Sequence, residues 1–309
     1  MDSLSNNIFS YYRAHFSELS FDKQLHFSSR LKLWTDDPFA AEMLETLRPQ
    51  ATANENPKQV LGDVYQTMLD TPLSGLENAG AIRAPYFAKY PNLRAINALL
   101  FRATFLQTVF GIDARHEVYE IVSEAELRSL ATELLEDTGA LTALSTYAVN
   151  FLYLYSRNFA HDDTLFDPKI FIETVARGYD FSDYSHIQLY NYLSTHCVLG
   201  ETLFYARPLP EKYAVTYMQM MQELGKVLND HYDEINLDNK FEYLVCCKIV
   251  GLESPLAAKI EAEAEKSISP DGTFLIDTHN KHPQTTKTNL ELSEHRNVLY
   301  IMAHRAFTA

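Results

Sequence analysis

Glycine and proline are scarce in this sequence, 10 and 12 among 309 residues, against usual shares of roughly 7% and 5%. A chain poor in both lacks the material for many tight turns, which argues against a β-hairpin architecture. Cysteine is scarcer still. The three thiols, Cys197, Cys246 and Cys247, are odd in number and two are adjacent, so they make no disulfide framework and predict a reducing, cytoplasmic setting. Continuous apolar runs are also missing. The most apolar stretch, 147–155, is interrupted by Asn150 and falls short of the roughly 18 residues that a membrane span needs. The first nineteen residues show neither a basic start nor an apolar core, which predicts no secretory leader. Positive charge is in deficit, with 26 Lys plus Arg against 41 Asp plus Glu and a formal net charge of −15. Such a chain repels phosphate backbones and anionic bilayers on average, so neither nucleic acid nor membrane is an expected partner.

What is present is apolar spacing of helical period from end to end, which predicts an all-α protein. Helices are expected over 6–19, 21–34, 38–47 and 58–69, with 71–91 as a boundary or crossing loop because it holds Gly75, Gly80, Pro85 and Pro91. Beyond it, apolar helices alternate with more polar ones: 93–110 then 124–136, 141–158 then 168–177, 184–204 then 211–231, 240–250 then 256–267, closing with 294–307. A helix apolar on most sides must be buried, whereas AAKIEAEAEK at 257–266 must turn a wide charged face to solvent. The alternation predicts helical hairpins in two concentric layers. The expected domains are a helical region over 1–90, packed on or completing a ring, and a helical-hairpin domain over 91–309.

The segment KSISPDGTFLID at 266–277 resembles the DG-aromatic turn of α/α-toroid proteins, the class of terpenoid cyclases and protein prenyltransferase β subunits. Together with YNYLSTHCVLGETLFYARPLP at 190–210, the C-terminal half is similar to a group of uncharacterised bacterial α/α-toroid proteins. The resemblance implies a ring of hairpins around an axial funnel and brings no activity with it. Toroid prenyltransferases hold zinc with an Asp, a Cys and a His. Cys246 or Cys247 and His295 would supply two of these, but Leu244 and Val245 occupy the place of the nearby Asp.

In a toroid the functional candidates are polar residues on the apolar helices. His186 and Tyr190 share a helix face, as do Tyr192 and His196. Glu242 and Cys246 repeat the spacing, and His295 opens the last helix. His186, Tyr190, His196, Glu242, Cys246 and His295 together offer a base, an acid and a thiol. Taken singly, each also suits a buried hydrogen-bond network. Two D-x-x-H pairs, Asp113–His116 and Asp183–His186, are about as many as chance supplies from 41 acids and 11 histidines. HDDTLFD at 161–167 has the look of an acidic Mg²⁺-diphosphate box, but its spacing differs and Asp167 before Pro168 reads as a helix cap. Phosphate loops, the nucleophile elbow and the zincin motif are all absent. The loop at 279–287 offers His279 and His282 as part of a lid. Two functions are expected from this inventory. The first is an axial Tyr/His-lined pocket for a small molecule or peptide, with or without catalysis. The second is a non-catalytic module whose acidic surface binds a protein partner.

Overall fold

The computed structural model describes residues 3–72, 80–276 and 290–308. The loop expected to act as a lid, 279–287, lies outside them. The described chain is all-α, and its only β feature among the described residues is a lone antiparallel bridge between Ile268 and Leu275.

Helices α1 (Ser3–Ala14), α2 (Phe21–Thr35) and α3 (Pro38–Ala51) open the chain. Then follow α4 (Pro57–Asp70), α5 (Gly80–Lys89), α6 (Leu93–Phe110), α7 (Arg115–Ile121) and α8 (Glu124–Glu136). Next come α9 (Thr138–Leu144), α10 (Thr146–Leu154), α11 (Lys169–Glu173) and α12 (Tyr184–Glu201). The chain closes with α13 (Ala214–Asp230), α14 (Leu237–Ile249), α15 (Ala257–Lys266) and α16 (Glu294–His304). Many starts are set by short polar side chains that accept a free amide of the first turn. Asn56 caps α4 ahead of Pro57, Ser123 and Glu126 form a reciprocal capping box on α8, and Asp137, Asp183 and Asn236 cap α9, α12 and α14.

The chain divides into two compact units, one continuous over Pro49–Met220 and one built from Met1–Arg48 and Met221–Ala309. This division is not the one expected at residue 90. The first 48 residues belong with the last helices, because α16 packs on α1 and α2 as well as on α14. The segment 71–91 is not a plain crossing loop either, since α5 takes up Gly80–Lys89 and carries Pro85 inside.

In the continuous unit, α6 packs on α4 and α10, and α10 packs on α12. Every residue from Ala148 to Phe159 is buried. The approach of α10 to α12 is close: a Cβ on Gly200 would lie 2.6 Å from Cβ of Tyr153, so only glycine fits there. The expected helix over 141–158 is interrupted at Ser145, whose φ of 46° and ψ of −110° break α9 from α10. Its hydroxyl donates to the Leu189 carbonyl on α12, 2.7 Å away. The run then ends in one π turn, Tyr155–Phe159.

In the other unit, α16 is the buried centre, with Arg296 to Met302 all withdrawn from solvent. Asn297 ties it to its surroundings. Its Nδ2 donates to the carbonyls of Leu275 and Ser293, each 2.8 Å away, and its Oδ1 accepts the Leu275 amide at 2.8 Å. The DG turn is thus held against α16, with Gly272 at φ 74° and Asp271 Oδ1 accepting the hydroxyls of Ser269 and Thr273.

Candidate functional site

The six residues singled out from the sequence divide between the two units. His186, Tyr190 and His196 lie on α12 in the continuous unit, whereas Glu242 and Cys246 on α14 and His295 on α16 lie in the other. On α12, the rings of His186 and Tyr190 both meet Tyr179, with centroids 6.1 and 5.4 Å from it. His186 Nδ1 accepts the Asp180 amide at 3.0 Å, so this imidazole holds the turn before α12. His196 Nδ1 lies 2.8 Å from Asn150 Oδ1, joining α12 to α10. Glu242 and Cys246 are buried on α14.

The acidic motifs resolve into local bonds. Asp162 Oδ1 accepts the amide and hydroxyl of Thr164, Asp167 Oδ1 accepts the Lys169 amide, and Asp163 pairs with Lys212 at 2.9 Å. Asp183 Oδ1 accepts the Ser185 amide, and Asp113 is engaged by Arg115. Among the described residues no three His, Cys, Asp or Glu side chains converge as metal ligands. His295 instead meets His26 of α2 edge-on, with centroids 5.3 Å apart.

The side chains that converge on an open cavity belong to α14, α15 and α16. The cavity has a volume of about 490 Å³ and lies among Leu244, Leu252, Ala257 and Ala303, which form an apolar floor. Lys248, Ser254, Glu261 and His304 supply its polar rim. It exists because α14 stops at Val250 and the chain reverses through Gly251, whose φ of 70° opens the turn that sends α15 back past α14. The C-terminal end of α16 closes the third side. There the free carbonyls attract cations. Lys248 Nζ donates to the Ala303 carbonyl at 2.8 Å, and burial holds its pKa below the usual lysine value. His304 Nδ1 donates to the Tyr300 carbonyl at 2.8 Å, which turns Nε2 towards Glu261 Oε1, 3.2 Å away.

A second cavity of about 770 Å³ shares Leu252 with the first and is lined by Tyr243, Leu256 and Lys226. The Tyr243 hydroxyl accepts from Ser254 at 3.1 Å, and burial raises the tyrosine pKa. Gly225 leaves room for it, since a Cβ there would sit 2.5 Å from that oxygen. Cys247, beside the first cavity, is buried, and burial pushes its thiol up to about 12. A protonated thiol is not a nucleophile at neutral pH.

Sequence reasoning named Cys246 and His295 but missed Lys248, Glu261 and His304. Lys248 and Glu261 sit on charged helix edges, where a solvated role is the common one. The signal that marks the cavity is the GLESP turn at 251–255 after two cysteines. No known family model, no characterised protein and no solved structure matches this chain.

Proposed function

We propose that this protein binds a small molecule with an apolar body and an anionic head in the cavity among α14, α15 and α16. One observation carries the reading: Lys248, His304 and Glu261 converge on a cavity of about 490 Å³ whose floor is aliphatic. Ligand sites have this anatomy, with few polar groups set around an apolar wall and volumes of roughly 300–1,000 Å³. Lys248 would receive the head group, its ammonium keeping further donors beyond the bond to Ala303, and Glu261 holds the imidazole of His304 at the rim. The α/α-toroid resemblance of the C-terminal half is in keeping with a pocket between helices, although the lining differs from the axial Tyr/His set expected from sequence. Benzoate, with benzamide as its neutral counterpart, is a suitable probe. Benzoate should shift the backbone amide signals of Gly251, Leu252 and Ala303 in a nuclear magnetic resonance titration, more strongly than benzamide, and should lose its effect in Lys248→Met. Unchanged signals at these three residues in the folded protein would refute the reading.

A further inference from the structure

At the opposite end of α16, ten residues and about 15 Å from His304 along the axis, a different set of side chains collects. Lys23, His26 and Arg30 recur at helical spacing on one face of α2 and are half-buried. His295 packs edge-on against His26 from α16. Beneath them lies Glu294, with no exposure to solvent, whose Oε1 accepts from His26 Nδ1 at 2.7 Å and whose Oε2 is 3.3 Å from Lys23 Nζ. This bond fixes the His26 tautomer in which Nδ1 carries hydrogen, leaving Nε2 for a ligand.

We propose that Lys23, His26, Arg30 and His295 form a second binding site, one that receives a phosphoryl group. The charge distribution supports it. The chain as a whole carries −15, yet at this point positive groups prevail. Burial should raise the pKa of Glu294, but His26, Lys23 and Arg30 together hold it below the usual carboxylate value. Burial and then Arg30 lower both imidazoles, and Lys23 lowers them further. Among the described residues, the neighbouring elements add little opposing charge beyond Glu294 itself. On α16, Arg296 is turned to Asp238 of α14, 2.8 Å away. On α1, the neutral Tyr12 hydroxyl donates to the Leu290 carbonyl. Glu291 is the remaining acid in the turn before α16. The start of α16 contributes the positive end of its dipole in the same place.

Lys23 and Arg30 less the buried Glu294 leave one positive charge beside two imidazoles kept neutral by burial and by the cations. A phosphoryl dianion overbalances that charge and draws a proton onto the imidazoles, whereas a carboxylate is already balanced. Binding should therefore be coupled to proton uptake.

The test is a titration of the full chain with inorganic phosphate, read from the imidazole Cε1–Hε1 signals, with acetate as the second arm. The signals of His26 and His295 should move together, and their midpoints should rise when phosphate is bound. Affinity should fall about tenfold or more between roughly pH 6 and pH 8. Acetate should bind about tenfold more weakly than phosphate. Lys23→Gln, at a half-exposed position, should keep the helical circular dichroism and weaken phosphate binding about fivefold. Three results would overturn the proposal: His26 and His295 signals unmoved by phosphate, acetate binding as tightly as phosphate, or an unchanged affinity in folded Lys23→Gln.

Discussion

The Arg157 guanidinium lies along the Glu201 carboxylate, with Nε 3.1 Å from Oε1 and Nη2 3.1 Å from Oε2, and neither side chain reaches solvent. The π turn at the end of α10 carries Arg157, and the last residue of α12 is Glu201. Arg207 Nη2 donates to Oε1 at 3.1 Å and Tyr217 donates to Oε2 at 2.9 Å. The Tyr153 hydroxyl then donates to that of Tyr217, 2.7 Å away. Both carboxylate oxygens of Glu201 are thus bonded within the continuous unit, as an interior of low dielectric demands.

Removing one partner should therefore cost far more than the pair itself is worth. Glu201→Leu leaves Arg157 buried without its carboxylate and should lower the unfolding free energy by about 3–5 kcal/mol. Pairing it with Arg157→Met should restore most of that loss, because no buried charge is then left uncompensated. Urea unfolding of the two variants decides the matter, and equal losses in both would show that the carboxylate contributes by packing alone.

Acid should destabilise the unit that contains α16. His26 and His295 are held below the ordinary imidazole value of about 6.5 in the folded state. The unfolded chain therefore binds more protons than the folded one as the pH falls through about 6.5, and stability declines with it. Their contribution is fully present above that pH. Glu294, also lowered, adds a further loss below its ordinary value near 4.5. Thermal unfolding should thus show a midpoint that drops between neutral pH and about 5.5, with a shallower slope in His295→Gln.

The thiols should be silent towards an aromatic disulfide reagent. Cys197, Cys246 and Cys247 are all buried, and burial raises Cys197 and Cys247 well above the ordinary thiol value. At about pH 8 the folded protein should release less than about a tenth of one thiolate equivalent over minutes, and all three on unfolding. Rapid release of one equivalent from the native protein would restore a cysteine to the list of reactive groups.

The helices were readable because their caps and their 3.6-residue period are local properties. Asn56–Pro57, Ser123 with Glu126, and Asp183 mark real starts. The break at Ser145 was not readable, since the apolar spacing runs through it without interruption and the bond that stabilises it is made to Leu189, far along the chain. The site residues show the same limit. His26 looks like one polar residue on an ordinary amphipathic helix until Glu294 and His295 arrive from 268 residues away and beyond. Tyr190 and His196 stand out by falling on an apolar helix, and the structure gives each a partner from outside that helix. Composition and periodicity report what a residue's own turn of helix requires, and say nothing of which turn will lie opposite.

The division of the chain bears on how the protein is made. Helices α1 to α3 leave the ribosome well before α16, their central partner, with Leu25, Phe27, Leu31 and Trp34 of α2 ready for burial. At roughly 5–20 residues per second, the interval between them is on the order of ten to fifty seconds. The continuous unit can fold within that time. Helices α1 and α2 cannot complete their core and must be shielded, or remain loosely collapsed, until α16 is released.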